Sequence, residues 1–372
     1  MQCAATWGWR LRARSRGRAG PSGGQATVDD VLAQAMVAGE HAVVAGHVEA
    51  EAGEELVGVH VSVGGAAAPR GLERDADAAA GERRDEMSVV FAGGGCRTFW
   101  ALGAYTALAD LATPVEFAGV SAGTAMALGA ATGQERALVA AFCARVAVNR
   151  RNVYPERLLL GRPVFPQEAM YRATVHDLLG GAGFGRLADA PPVRMLQAYV
   201  EPGWPVSRTV ASAWWAYAAR RRRNLLHGPD VPHPGLAAEV DVAHETADVD
   251  DLADRVLRSS ASPPVTGVQS VGGRTYFDGS LVDPVPLRAL GERARAGAVL
   301  VLLNRPRPPE TPAGNIHYLA PPAPVPIHKW DYTSPERIRR AFDSGRRDGE
   351  AARVAVARFL AEQSADVRGS TA

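Results

Sequence analysis

From residue 87 onward, the apolar positions of this 372-residue chain fall into two recurring patterns. Short, nearly unbroken runs of small and β-branched residues predict buried strands. Longer stretches with apolar residues three or four apart predict helices. "SVVFA" (88–92) is the first such run, and it breaks into three glycines. "RTFWALGAYTALADL" (97–111) follows at helical spacing and is expected to run until Thr113-Pro114 stops it. "VEFAGV" (115–120) predicts a second strand, and "SAGTAMALGAATG" (121–133) a small-residue helix closed by Gly133. Further strands are predicted at "PVRMLQAYV" (192–200) and "AVLVLLN" (298–304). Two C-terminal helices are predicted at "SPERIRRAFDSGRRDGE" (334–350) and "EAARVAVARFLAEQ" (350–363). Two successive strand–helix units argue for an α/β fold whose parallel sheet carries helices on its faces.

Residues 1–86 pattern differently. They hold an Arg/Gly-rich start, a short amphipathic patch near Val28–Val37 and the polar stretch "APRGLERDADAAAGERRDE". So few apolar residues cannot offset the entropy of ordering, so a mostly disordered, low-complexity extension is expected there. "ELVGVHVSV" (55–63) alternates enough to suggest a small hairpin. Met87 directly precedes the first strand, so the working domain is expected to span 87–365, with 1–86 dispensable.

Composition narrows the function classes. With 47% hydrophobic residues a large core is possible, and a net charge of +1 gives no global case for nucleic acid. Three cysteines without a CxxC pair argue for a reducing compartment and against a disulfide framework or zinc site. "ALVAAFCARVAV" is interrupted by Arg145 and "GAVLVLL" is too short to span a bilayer. The basic N-terminus lacks the apolar segment of a secretory signal. The expectation is a cytoplasmic protein without metal or other cofactor.

"GVSAG" (119–123) places Ser121 between a predicted strand and a predicted helix, the setting of a nucleophile elbow. Gly119 and Gly123 remove Cβ atoms from a sharp turn, and the helix N-terminus beyond favours negative charge. A tight turn in which Ser121 only caps the helix satisfies the same pattern. Downstream, "TYFDGS" puts Asp278 after a short strand and before a glycine, which suits a rigid catalytic carboxylate or an ordinary Asp-Gly turn. "AGGGCR" lacks both the G-x-x-x-x-G-K-[ST] and the G-x-G-x-x-G patterns, which excludes the usual nucleotide cradles.

Taken together, the Gly93-Gly94-Gly95-Cys96-Arg97 run, "GVSAG", and Asp278-Gly279 after "SSASPPV" resemble the patatin-like phospholipase family over Ser88 to about Asp348. The resemblance implies a three-layer α/β/α fold with a mostly parallel central sheet. It implies a serine acyl ester hydrolase in which Ser121 is the nucleophile and Asp278 its proton acceptor, with no histidine between. Gly93, Gly94, Gly95 and Arg97 match the oxyanion motif, Arg97 either orienting the loop or pairing structurally. Thr98 and Ser280 stand where the motifs often have glycine. A carboxylate near its ordinary pKa is a weak base, so turnover is expected to be modest unless Asp278 is desolvated. The implied substrate is a lipid or other acyl ester, handled as by a phospholipase A or lysophospholipase. A silent scaffold acting through protein or membrane contacts is the alternative. The histidines, His317 and His328 included, read as loop or surface residues. Trp214, Trp215 and Arg220, Arg221, Arg222, Arg223 suit either peripheral contact with an anionic membrane or a core-packing helix with a solvated tail.

Overall fold

The computed structural model describes residues 85–229, 233–307 and 314–369. The expected extension and its hairpin lie outside the described residues, apart from Asp85 and Glu86. The four strands expected at 88–92, 115–120, 192–200 and 298–304 form, and an unexpected fifth joins them at one edge of the sheet. β1 (Glu86–Phe91), β2 (Thr113–Val120), β3 (Val193–Val200), β7 (Val299–Leu302) and β8 (Ile316–Leu319) run parallel in the order β3-β2-β1-β7-β8. Antiparallel strands extend the sheet beyond β3: β4 (Leu236–Val242), β5 (Gln269–Val271) and β6 (Arg274–Asp278). The sheet is therefore mixed and mostly parallel, as expected.

Alternation along the strands builds a core on each face. Val89 and Phe91 of β1, with Phe117, Met195 and Leu300, bury into the larger core. Val90, Ala118, Val120 and Val301 point to the other face, under Val285, Leu290 and Ala294. The larger core is roofed by α1 (Thr98–Thr106), α2 (Ala122–Ala131), α3 (Glu135–Val148), α4 (Gln167–Leu179) and α6 (Val249–Ser259). A long C-terminal helix, labelled α8 below, completes that roof. The other face is covered by α7 (Glu292–Ala296) and nearby turns, and α5 (Val206–Arg222) packs over β3 and β6.

Three elements differ from the sequence expectation. The first helix ends at Thr106, and the chain turns through 107–112, because Thr113 already begins β2. The two C-terminal helices are one, α8 (Pro335–Gly369). Its internal glycines do not break it; they are contact points. A Cβ at Gly345 would lie 1.9 Å from the Trp100 carbonyl oxygen, and one at Gly349 2.6 Å from that of Ala104. Gly103 of α1 answers with a Cβ position 2.0 Å from the Phe342 carbonyl oxygen, so the two backbones nearly touch. Finally, His317 is no loop residue. It lies half-buried on β8, its ring 5.3 Å from that of Phe359, because edge pairing with β7 makes a strand of a four-residue run bounded by prolines.

Candidate active site

β3 brings the two ends of the site together. β4 runs along one edge of β3, and the other edge is shared by β2 at its start and β6 beyond. Val120, the last residue of β2, pairs with Leu196, and Asp278, the last residue of β6, pairs with the next residue, Gln197. Two strands running in opposite directions thus meet end to end, and Ser121 faces Asp278 across the junction.

Ser121 has φ 55° and ψ −135°, one of two described non-glycine residues with positive φ. Such backbone strain, of order 1–3 kcal/mol, persists only where the surroundings enforce it. Here they do. A Cβ at Gly119 would sit 2.6 Å from Thr124 Cα, and one at Gly123 2.4 Å from the Phe91 carbonyl oxygen, so the strand–helix approach needs both glycines. Although Ser121 stands at the N-cap of α2, its side chain makes no capping bond. Its backbone N–H donates to Ser259 Oγ (3.0 Å), and Ser259 donates in turn to the Leu196 carbonyl (2.7 Å). With its proton so committed, Ser259 accepts from the Thr124 hydroxyl at 3.0 Å.

The Asp278 carboxylate is buried. It accepts hydrogen bonds from Ser280 N–H (2.9 Å) and Ser262 Oγ (3.0 Å), and from the hydroxyls of Ser121 and Ser280. Burial raises its pKa above the ordinary carboxylate range, and those donors pull against it. The serine at 280, where the motif often has glycine, therefore adds a donor to this carboxylate. The six described histidines are engaged elsewhere: His176 with Asp250, His227 with Tyr318, His233 and His244 with backbone carbonyls, His317 with Phe359 and His328 with the Trp330 N–H.

The glycine loop is fixed through its carbonyls. Asn304 Nδ2 donates to the carbonyls of Ala92 (3.2 Å) and Gly93 (2.7 Å), Arg97 Nε to that of Gly94 (3.4 Å), and Thr98 Oγ1 to that of Gly95 (2.8 Å). Gly93 N–H is already donated to the Pro284 carbonyl and Cys96 N–H to that of Lys329, both at 3.0 Å. Among the described residues, the N–H groups of Gly94 and Gly95 have no acceptor. Side chains are excluded at all three glycines. A Cβ on Gly93 would lie 2.6 Å from Ser280 Oγ and 3.3 Å from Ser121 Cβ, one on Gly94 would strike Asn304, and Gly95 adopts φ +58° against the Lys329 carbonyl.

Two hollows flank the junction. A small apolar cavity of about 20 Å³ lies beside Ala125, one turn beyond Ser121, among Met126, Phe142, Leu138 and Leu179. A cleft of about 80 Å³ adjoins Gly93 and Asn304 and is lined by Arg220, Arg221, Arg305 and Arg307. The aromatic and basic residues of α5 thus divide. Trp214 and Tyr217 pack inward as a T-shaped pair, Trp215 is 62% exposed, Arg220 is half-buried and donates to the Leu281 carbonyl, and Arg222 and Arg223 face solvent. Among the described residues, no helix is long and apolar enough to cross a membrane, and no His/Cys/Asp/Glu group could hold a metal.

Asn304, Ser259 and Ser262 escaped the sequence reading. Ser259 and Ser262 lie in the quoted "SSAS", and Asn304 ends the predicted strand "AVLVLLN", but none has a motif of its own.

The profile of the Patatin-like phospholipase family matches residues 89–290, more than half of the chain. The chain belongs to that family. Comparison with curated proteins finds no match. Two similar solved structures are human GIVD cytosolic phospholipase A2 and VipD from Legionella pneumophila, each 12% identical. The first alignment covers 75% of this chain and 60% of that one with a TM-score of 0.40; the second covers 76% and 67% with a TM-score of 0.38. The chain thus spans less than two thirds of the phospholipase A2.

Proposed function

We propose that this protein hydrolyses carboxylic esters of lipids through a Ser121–Asp278 dyad, with the N–H groups of Gly94 and Gly95 binding the oxyanion. The observation that carries the reading is the strained Ser121 held end to end against a buried carboxylate that accepts its hydroxyl. Asp278 takes the Ser121 proton as Oγ attacks the ester carbonyl, forming a tetrahedral oxyanion. Collapse breaks the acyl–oxygen bond, and the alcohol leaves with the proton from Asp278. Water then adds to the acyl-enzyme, again giving its proton to Asp278, and the acid departs as Ser121 regains its hydrogen. The raised pKa of Asp278 makes it a stronger base than a solvated aspartate, which answers the concern about a weak base. Of the glycine triplet, only Gly94 and Gly95 have N–H groups to give, and losing one such donor costs on the order of 3 kcal/mol of transition-state stabilisation. Arg97 acts by holding the Gly94 carbonyl away from the oxyanion.

The arginine-lined cleft on the Gly93 side suits a phosphate-bearing alcohol, and apolar side chains line the opposite flank from Ala125 onward. A phospholipid or lysophospholipid therefore fits better than a neutral glyceride. The test is fluorophosphonate labelling followed by a lipid panel. Wild-type protein should be labelled and should release fatty acid, and Ser121→Ala should do neither. An unlabelled wild type would favour the silent scaffold.

A further inference from the structure

Between α3 and α4 the chain makes a loop with an unusual surface. Pro155–Leu160 forms a 3-10 turn closed by Gly161 in the left-handed region, and it presents three successive leucines to solvent. Leu158 is 72% exposed, Leu159 89% and Leu160 69%. Among the described residues no other segment exposes consecutive large apolar side chains. Scattered exposed leucines are ordinary, but a run presented on one turn points to a partner.

The turn is built rather than loose. Tyr154 N–H donates to the Val164 carbonyl (2.8 Å), closing the neck of the loop. The Tyr154 ring carries the guanidiniums of Arg157 and Arg151 over it, at 4.3 and 4.8 Å, and its hydroxyl donates to Asn149 (2.7 Å). Asn149 and Asn152 bind the backbone of Tyr332, at 2.7 and 2.8 Å. Three residues earlier, the Lys329 carbonyl accepts the Cys96 N–H and presses on Gly95. The leucine turn and the glycine loop therefore share one brace, on the side of the sheet where the strands end at Ser121.

Charge selects the partner. The segment 149–166 holds Arg150, Arg151, Arg157 and Arg162 against Glu156 alone, a net charge of +3. A second copy docked by the same face would set this charge against itself, which disfavours self-association. An anionic lipid surface offers apolar depth for the leucines and headgroup charge for the arginines. Resting on the lipid-ester reading above, we propose that the leucine turn Pro155–Gly161 inserts into anionic membrane interfaces and holds the mouth of the Ser121 site against them. This surface is distinct from the aromatic and basic residues of α5.

The test is co-sedimentation of full-length protein carrying Ser121→Ala with phosphatidylcholine vesicles, with and without phosphatidylserine. Because binding is read in a protein that cannot hydrolyse, its outcome is separate from that of the hydrolase reading. Binding should require phosphatidylserine and weaken as salt rises. Leu158→Asp combined with Leu159→Asp should weaken it roughly tenfold or more, since two exposed side chains would no longer be buried in lipid. Both leucines are exposed, so thermal unfolding should be unchanged and should serve as the folding control. Undiminished binding by the double variant would overturn the proposal. So would equal binding to neutral vesicles, loss of binding only with Trp215→Ala, or light scattering showing a dimer that the leucine substitutions dissolve.

Discussion

Asp278 concentrates the energetic conflict of the site at one residue. Its folded pKa lies above its unfolded value because burial outweighs the donated hydrogen bonds. A group shifted in that direction stabilises the fold below its unfolded pKa, and that contribution is lost as pH rises through the folded value. At neutral pH the ionised Asp278 is therefore a net cost. Asp278→Asn should abolish hydrolysis yet leave Tm at pH 7 equal to or above that of the wild type, with the gap closing as pH falls. A lower Tm for the variant at pH 7 would contradict the burial argument. Under the proposed mechanism, activity should fall on an acid limb above the usual aspartate range, about 3.9. Ser262→Ala removes a donor that favours the ionised form, so this limb should move further toward neutral pH. Ser259 acts at one remove, through the Ser121 backbone. Ser259→Ala leaves that N–H and the Leu196 carbonyl without their partner, a cost of about 1–3 kcal/mol each if they stay buried. Expected is a fall in kcat with KM nearly unchanged, measured on a soluble ester; unchanged kcat would show that the elbow holds itself.

At the scale of elements, glycine serves two different purposes. The local signals at Gly119 and Gly123 announce a turn, and they sit in one, because the crowding they relieve lies between adjacent elements in sequence. Gly345 and Gly349 lie unremarked inside the helix expected over 334–350, because the surface they fit belongs to α1, more than two hundred residues away. Nothing within the window of a helix can reveal that. The same argument sets a stability test. Gly345→Ala drives a methyl group onto the Trp100 carbonyl and must push the two helices apart, an overpacking cost of about 1–3 kcal/mol or more. Gly185→Ala, whose Cβ would meet nothing within 4 Å, should be close to neutral. Denaturant unfolding of the pair checks this, and equal midpoints would show that α1 and α8 separate without cost.

At the scale of the whole molecule, what was legible was what is local. Four of the five parallel strands, the serine turn and the glycine run are written in contiguous stretches; β8 is not, since pairing with β7 makes it a strand. The meeting of Ser121 with Asp278 is not, because it depends on a one-residue step in the register of β3, and only likeness to a family joined the two beforehand. Asn304 stayed hidden for a related reason: it works on carbonyls of a loop 211 residues away by hydrogen bonds, which leave no pattern in its own neighbourhood. The extent of the working unit is the remaining question at this scale. The three hydrophobic cores draw their buried residues from Met87 to Leu360, and the family profile lies inside that range. Asp85 marks the near edge, its carbonyl accepting the Thr113 N–H and its carboxylate the Ser364 hydroxyl. A chain shortened to residues 85–372 should therefore unfold cooperatively at the same Tm and hydrolyse a soluble ester at the same kcat/KM as the full chain. A lower value of either would show that residues 1–84 contribute to the fold or to the site, and would refute the expectation that they are dispensable.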